Sequence, residues 1–406
     1  MKYINFIFIF IYALFYKLKC VVSGNNKGTK TILIIFDKPG IGDILCLIDA
    51  LYNMKLNFGS NYHICLATTK NVINFLKSTK CTFNFEFLTL ELENKFSMKT
   101  YKLNLNILQS KKWDIIISFT RIGIYIKTLL VALPYNRLIS GEFTKIKFTI
   151  LERLLNSLLP NYFCCKFPYS DHWLTANEKV FSFVCNSILS EVKTQSYKKI
   201  KIPILCLPPI KKEIKYIMVC PTIASNHPNP FRSWSVDNYV KLCNKIIVST
   251  DFKICLSGTD MDYEVNKYVE NNVINKDRII NLTGKTTFKE WIELIRNASF
   301  LIGNDSGYIH LAARLDVQSF AISGYWNYGR FLPYPKNYDG VLSPIDIRTE
   351  MVSCESCSNR YVSPMNLDKK ECTRDIKLFN TYKCIHEISV EMVENCLFRF
   401  LNITKK

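Results

Sequence analysis

An apolar run of strand length, then a glycine turn, then a stretch with helical spacing recurs along this chain. "TILIIFD" leads through "KPGIGD" into "ILCLIDALYNM", and "SFLIGND" leads through Ser-Gly into "GYIHLAARL". The apolar runs are continuous rather than alternating, which suits strands covered on both faces. "YHICLAT" (Tyr62–Thr68) and "WDIIISF" (Trp113–Phe119) continue the pattern in the first half. In the second half "YIMVC", "FKICLSG", "RIINLTG" and "QSFAISG" are strands, with helical segments such as "SVDNYVKLCNKII", "DMDYEVNKYVE" and "TFKEWIELIRNA" between them. Such alternation predicts an α/β chain of doubly wound parallel sheets.

A change of texture divides the pattern. "SYKKIKIPILCLPPIKKEIK" (Ser196–Lys215) carries three prolines and many lysines, as an interdomain linker does. The expected organisation is an apolar leader over 1–25, a Rossmann-like domain over 30–200, a linker over 201–214, a second Rossmann-like domain over 215–387 and a final amphipathic helix over 388–406. A length of 406 residues fits two cores better than one. The final helix is expected to pack back across a cleft between the domains.

The leader "INFIFIFIYALFY" (Ile4–Tyr16) is flanked by Lys2, Lys17 and Lys19. It falls short of the ~20 residues a spanning helix needs. An interfacial helix, apolar face in lipid and lysines on headgroups, fits it best. A signal segment and an ordinary packed helix are the alternatives. The formal charge of +19 favours anionic partners: nucleotides, phosphorylated sugars or acidic lipid. Nucleic acid is not expected, because no RNA- or DNA-reading motif accompanies the charge. Most of the 16 cysteines, Cys46, Cys65 and Cys255 among them, sit singly in apolar runs and read as buried thiols of a reducing compartment.

Ligands of open parallel sheets bind at the carboxyl ends of the strands. In the second half those ends carry Pro221-Thr222, Ser257-Gly258, Gly284-Lys285, Gly303 to Gly307 and Ser323-Gly324. Hydroxyls and free amides at helix starts suit a pyrophosphate. In "GNDSG", Ser306 and Gly307 would face the anion, while Asp305 caps the helix or accepts from a sugar hydroxyl. The competing reading is that Asp305 or Ser306 is a helix cap and nothing more, with His310 a structural histidine.

"LIGNDSGYIHLAARLDVQSFAISG" resembles the signature of glycosyltransferase family 9, the lipopolysaccharide heptosyltransferase family. "ILIIFDKPGIGDILCLIDAL", "DHWLTANEKVF", "RSWSVDNYVKL" and "NLTGKTTFKEWIELIRNASFLIGND" are similar to further family motifs, in the family's order. The resemblance implies a GT-B fold: two Rossmann-like domains facing a cleft, the first binding acceptor and the second a nucleotide-sugar. It implies an inverting transferase that needs no cofactor for catalysis. Asp43 aligns with the family's base, with Asp49 an alternative carboxylate deeper in the helix. Donor-binding roles fall to Thr222, Arg232, Lys285, Asp305, Ser306, Gly307 and His310. Asp260, Asp262 and Glu264 are candidates for the ribose.

Two departures stand out. Asp37 replaces an arginine of many members, with Lys38 beside it, and Tyr325-Trp326 replaces the usual Pro-Thr. Lys38 and Arg330 are candidates for acceptor or phosphate contacts. Cys354, Cys357, Cys372 and Cys384 allow a structural zinc or iron site, or are free thiols or disulfides. The expected function is transfer of a sugar, heptose from ADP-heptose being one option, to a lipopolysaccharide or other surface-glycan acceptor. The expected location is cytoplasmic, peripheral on an anionic inner membrane. A protein acceptor and a catalytically silent nucleotide-sugar-binding protein are the alternatives.

Overall fold

The computed structural model describes residues 2–19, 30–38, 40–79, 81, 83–92, 97–144, 149–168, 171–188, 196–200, 215–223, 230–325, 328–336, 338, 341–350, 377–378 and 380–402. The chain divides into two units: Met1–Lys77 with Cys81–Lys198, and Ser78–Lys80 with Lys199–Lys406. The expected linker over 201–214 lies outside the described residues.

Unit 1 holds strands β1 (Lys30–Ile35), β2 (Tyr62–Thr68), β3 (Glu86–Thr89), β4 (Trp113–Ser118), β5 (Tyr135–Phe143) and β6 (Tyr162–Phe167). They form one parallel sheet in the order β3-β2-β1-β4-β5-β6. Ile32 to Ile35 of β1 are buried throughout, as a strand covered on both faces must be. The helices are α1 (Lys2–Lys19), α2 (Ile41–Phe58), α3 (Lys70–Ser78), α4 (Met98–Leu108), α5 (Ile124–Val131), α6 (Ile150–Leu158) and α7 (Trp173–Ile188). The start of α6 is fixed by Thr149 and Glu152, each satisfying the other's backbone amide. His172 does similar work for α7, its Nδ1 accepting from the Leu174 amide at 3.2 Å. The apolar leader forms α1, and Ile9 and Ala13 on one side of it join the core made by α4 and α5.

Unit 2 repeats the plan. Its elements are β7 (Tyr216–Cys220), α8 (Val236–Ser249), β8 (Lys253–Leu256), α9 (Tyr263–Asn272), β9 (Ile279–Asn281), α10 (Phe288–Asn297), β10 (Leu301–Asn304), α11 (Gly307–Arg314), β11 (Ser319–Ile322), β12 (Ile345–Ile347), α12 (Lys383–His386) and α13 (Val390–Leu401). The parallel order is β12-β11-β10-β7-β8-β9. Numbered within each unit, both sheets read 3-2-1-4-5-6, the order of dinucleotide-binding folds, with a switch point between first and fourth strands. That point lies between β1 and β4 in unit 1 and between β7 and β10 in unit 2.

One expectation is corrected. The final helix α13 packs onto α8 within unit 2. Val393, Leu397 and Phe398, one apolar stripe, complete the core that contains Ile217 and Val219.

Candidate functional site

In unit 2 the chain leaves β10 at Asn304 and enters α11 at Gly307. Gly303 faces Cys220 across the β10/β7 pairing, and a Cβ there would stand 2.8 Å from the Cys220 Cβ. The two strands approach closely because Gly303 has no side chain. Asn304 then braces the switch point. Its Nδ2 donates to the Pro221 carbonyl at 2.7 Å, and its Oδ1 accepts from the Trp234 amide at 2.9 Å. Thr222 is buried beside this brace at the end of β7.

Ser306 occupies the N-cap position of α11, yet its side chain makes no capping bond. Its Oγ is buried and has no hydrogen-bond partner among the described residues. The plain capping reading needs that bond, so it does not account for Ser306. Asp305 stands just before it. Its Oδ2 lies 4.0 Å from Arg232 Nη1 and its Oδ1 lies 3.6 Å from His310 Nε2. The other ring nitrogen of His310, Nδ1, is 2.8 Å from the Tyr334 hydroxyl, and the rings stack at 8°. With its proton on Nε2, toward Asp305, the buried imidazole accepts from Tyr334.

Arg232 is delivered by a 3-10 turn, Pro230–Arg232. Thr381 Oγ1 donates to the carbonyls of Phe231 and Ser233, and the Tyr382 amide donates to Phe231. Trp234 anchors the other end, burying its ring and donating Nε1–H to the Ile388 carbonyl. The Arg-x-Trp spacing thus has a physical basis: Trp234 is rooted in the core and Arg232 is held beside Asp305. Arg232 Nε is buried with no partner among the described residues. Arg232, Asp305, Ser306, Gly307 and His310 therefore form one cluster at the positive end of α11. A guanidinium, a hydroxyl and free helix amides form a set suited to diphosphate oxygens.

Lys285 stands at a different strand end. That lysine is exposed beyond β9 at the sheet edge, its Nζ 3.4 Å from the Asn281 carbonyl. The ribose candidates separate. Asp262 is buried, its Oδ2 accepting from Thr259 N and Oγ1. Asp260 is exposed and lies against Gly284, which turns at φ +70°. Glu264 is exposed in the first turn of α9.

The Tyr325 departure is also explained. The Arg348 guanidinium lies over the rings of Tyr325 (5.4 Å) and Tyr328 (4.4 Å). Arg348 also bonds Asp346, which bonds Ser323, and burial pushes the Asp346 carboxyl above its ordinary range. Trp326 lies outside the described residues. Arg330 is half-buried in the following segment, whose Phe331 packs on His310.

In unit 1, Asp43 lies in the first turn of α2 and is half-buried. Its Oδ2 sits over Gly40, where a Cβ would be only 2.6 Å away. This is the posture of an acid folded back toward its own helix start. Asp49 is fully buried, which removes it as an alternative base. Lys38 is half-buried after β1. Asp37 lies near the start of α5, its Oδ2 3.7 Å from where a Cβ on Gly123 would be. A helix start favours an acid at this place.

A further charged group escaped sequence reasoning. Arg121, after β4, pairs with Glu142 at 3.3 Å and with Glu152. Lys127 is fully buried nearby; burial lowers its amine and raises the Glu142 carboxyl from their ordinary ranges. The arginine is visible in "SFTRIG", but its glutamate partners come from β5 and α6, far along the chain.

Of the four expected metal cysteines, Cys354, Cys357 and Cys372 lie outside the described residues. Cys384 is buried, its Sγ 2.7 Å from where a Cβ on Gly324 would be. His63, Cys65 and Glu86 bring three metal-ligand atoms within 4.8 Å of one another. Lys111 already pairs with Glu86 there, and burial pushes the Cys65 thiol up to about 12, so the group is not read as a metal site.

Two units with this strand order and a diphosphate-type turn define a two-domain α/β protein of the GT-B class. Residues 188–359 match the model of glycosyltransferase family 9 (heptosyltransferase). Lipooligosaccharide heptosyltransferase 2 of Haemophilus influenzae is 29% identical over 97 residues, which is 23% of this chain and 28% of that enzyme's length. Over the whole fold, the glycosyltransferase family 9 structure from Veillonella parvula superposes with a TM-score of 0.63 at 16% identity, covering 94% of this chain and all of that one. The E. coli heptosyltransferase WaaC with ADP-2-deoxy-2-fluoro heptose gives 0.60 at 14% identity, covering 91% and 99%. The chain thus resembles family 9 over residues 188–359 and shares the fold of these structures along most of its length.

Proposed function

We propose that this protein is an inverting glycosyltransferase that moves a sugar, heptose in the first instance, from a nucleoside-diphosphate donor to a lipopolysaccharide or other surface-glycan acceptor. The observation that carries the reading is Ser306. It stands at a helix start with a buried hydroxyl that does not cap, beside Arg232 and the α11 amides. The family match over 188–359 spans this cluster, and the E. coli relative's ADP-sugar analogue supports an ADP-linked donor.

In the proposed reaction the acceptor hydroxyl oxygen forms a bond to the anomeric carbon. Its proton passes to the Asp43 carboxylate. The bond from that carbon to the diphosphate oxygen breaks, and the nucleoside diphosphate leaves with the electron pair. Arg232, Ser306 and the α11 amides stabilise the charge that develops on it. Asp305 and His310 orient Arg232 and the turn, and the exposed acids Asp260 and Glu264 are the candidates for the ribose. A structural metal at the four cysteines rests on the sequence, and no step runs through it. Buried thiols with no disulfide among the described residues, together with a +19 charge, support a cytoplasmic protein held peripherally on the inner membrane.

The posture of Asp43 favours one second reading, a silent nucleotide-sugar-binding protein. Nucleoside-diphosphate release from ADP-heptose with a lipopolysaccharide-core acceptor decides between them. Asp43→Asn should lower turnover by about 10²-fold or more while donor still raises the melting temperature. Wild-type rates in that variant would sink the base assignment. Donor stabilisation with no turnover by the wild type would favour the silent reading.

A further inference from the structure

The helix α1 is apolar on every side of its sequence, yet among the described residues one stripe of it stays exposed. Ile9 and Ala13 face the core, and Tyr16 donates to Gln109 at 3.0 Å. Ile7, Phe8, Ile11 and Phe15 form the opposite stripe, with 56%, 61%, 43% and 65% of their surface exposed. A helix apolar all round calls for a cover on all sides.

The stripe has neighbours of the same kind. Lys102 of α4 lies 5.2 Å over the Tyr12 ring, so the outer faces of α1 and α4 adjoin. On that face of α4, Leu103 is exposed between Lys102 and, one turn earlier, exposed Lys99. Ile150 and Leu154 of α6, in the same helix layer, are exposed with Arg153 between them. Among the described residues of unit 1, helices α2, α3 and α7 on the other layer expose no large apolar side chain. The exposure is one-sided.

We propose that the α1, α4 and α6 layer of unit 1 is a docking surface for an anionic lipid bilayer. The stripe of α1 enters the acyl boundary while Lys99, Lys102 and Arg153 meet the headgroups. Charge complementarity selects this occupant: the apolar residues are interleaved with cations, and Lys2, Lys17 and Lys19 flank the stripe in sequence. No helix of the described residues is long and apolar enough to cross a membrane, so α1 lies on the surface. The proposal deepens the peripheral location given above and rests on that part of the reading; the sugar chemistry is independent of it.

Sedimentation of the full chain with vesicles tests it without reading activity. Binding to phosphatidylcholine vesicles containing phosphatidylglycerol should exceed binding to pure phosphatidylcholine by about tenfold and weaken with salt. The double variant Phe8→Ser/Phe15→Ser should lose about tenfold of that affinity at an unchanged melting temperature. Lys99→Glu/Lys102→Glu should lose the preference for anionic vesicles. Ile274→Ser, an equally exposed apolar site on unit 2, should change nothing. Failure of the wild type to bind anionic vesicles, or unaltered binding by the phenylalanine variant, overturns the proposal. So does a concentration-dependent dimer that the phenylalanine variant abolishes in the absence of vesicle binding, since a second copy would then be the cover.

Discussion

At the switch point of unit 2 a single side chain, Asn304, bonds to the loops on both sides of it. At the matching place in unit 1 the acid after β1, Asp37, keeps one buried oxygen with no hydrogen bond among the described residues. The strand orders are the same and the wiring is not. Unit 2 holds its strand ends in a fixed register, which suits the diphosphate site proposed there. Unit 1 carries instead the charged group of Arg121, Glu142, Glu152 and Lys127. The family match, which runs over 188–359, falls mostly on the braced half.

Breaking the brace should have the largest effect. Asn304→Ala leaves a buried carbonyl and a buried amide without their partner, a loss of about 2–3 kcal/mol. Denaturant titration should show unit 2 unfolding earlier. Asp37→Asn in unit 1 should shift stability by no more than about 1 kcal/mol, the scale of an acid at a helix start. Equal losses at the two positions would erase the contrast drawn here between the units.

Ser306→Ala sharpens it further. Because the hydroxyl makes no cap, removing it should leave stability within about 0.5 kcal/mol, whereas a true cap loses about 1. Donor affinity by calorimetry should fall about tenfold, or ~1.4 kcal/mol. A stability loss with unchanged donor affinity would restore the ordinary cap.

The smallest effect belongs to the edge of unit 1. Lys111 first, and then His63, hold the Glu86 carboxyl below its ordinary range. A depressed acid stabilises the fold above its unfolded pKa, and that contribution disappears as pH falls through the folded value. At an exposed pair it amounts to a few tenths of a kcal/mol. Glu86→Gln should therefore cost those few tenths at pH 7, cost nothing in acid below the folded value, and so flatten a shallow part of the stability loss below about pH 4.5 in thermal melts.

Much of the fold was legible because β1, β4, β7 and β10 are buried on both faces, and their continuous apolar runs announce it. The cluster was legible where it is local in sequence, as with Asp305, Ser306, Gly307 and His310. It was illegible where the partner is remote. Tyr334 reaches His310 from 24 residues on, and the Arg232 turn is fastened by Thr381. The final helix misled because a free-standing amphipathic pattern says that a partner exists without saying which.

Trp291 meets Tyr308 edge-on at 5.1 Å, and Tyr308 follows Gly307 of the turn. Trp234, on the other flank, donates its amide N–H to Asn304 Oδ1. Two of the chain's five tryptophans thus border the loop where the diphosphate is proposed to rest. The molecule carries its own optical gauge: arrival of a donor should register as a change in intrinsic emission, with no label attached.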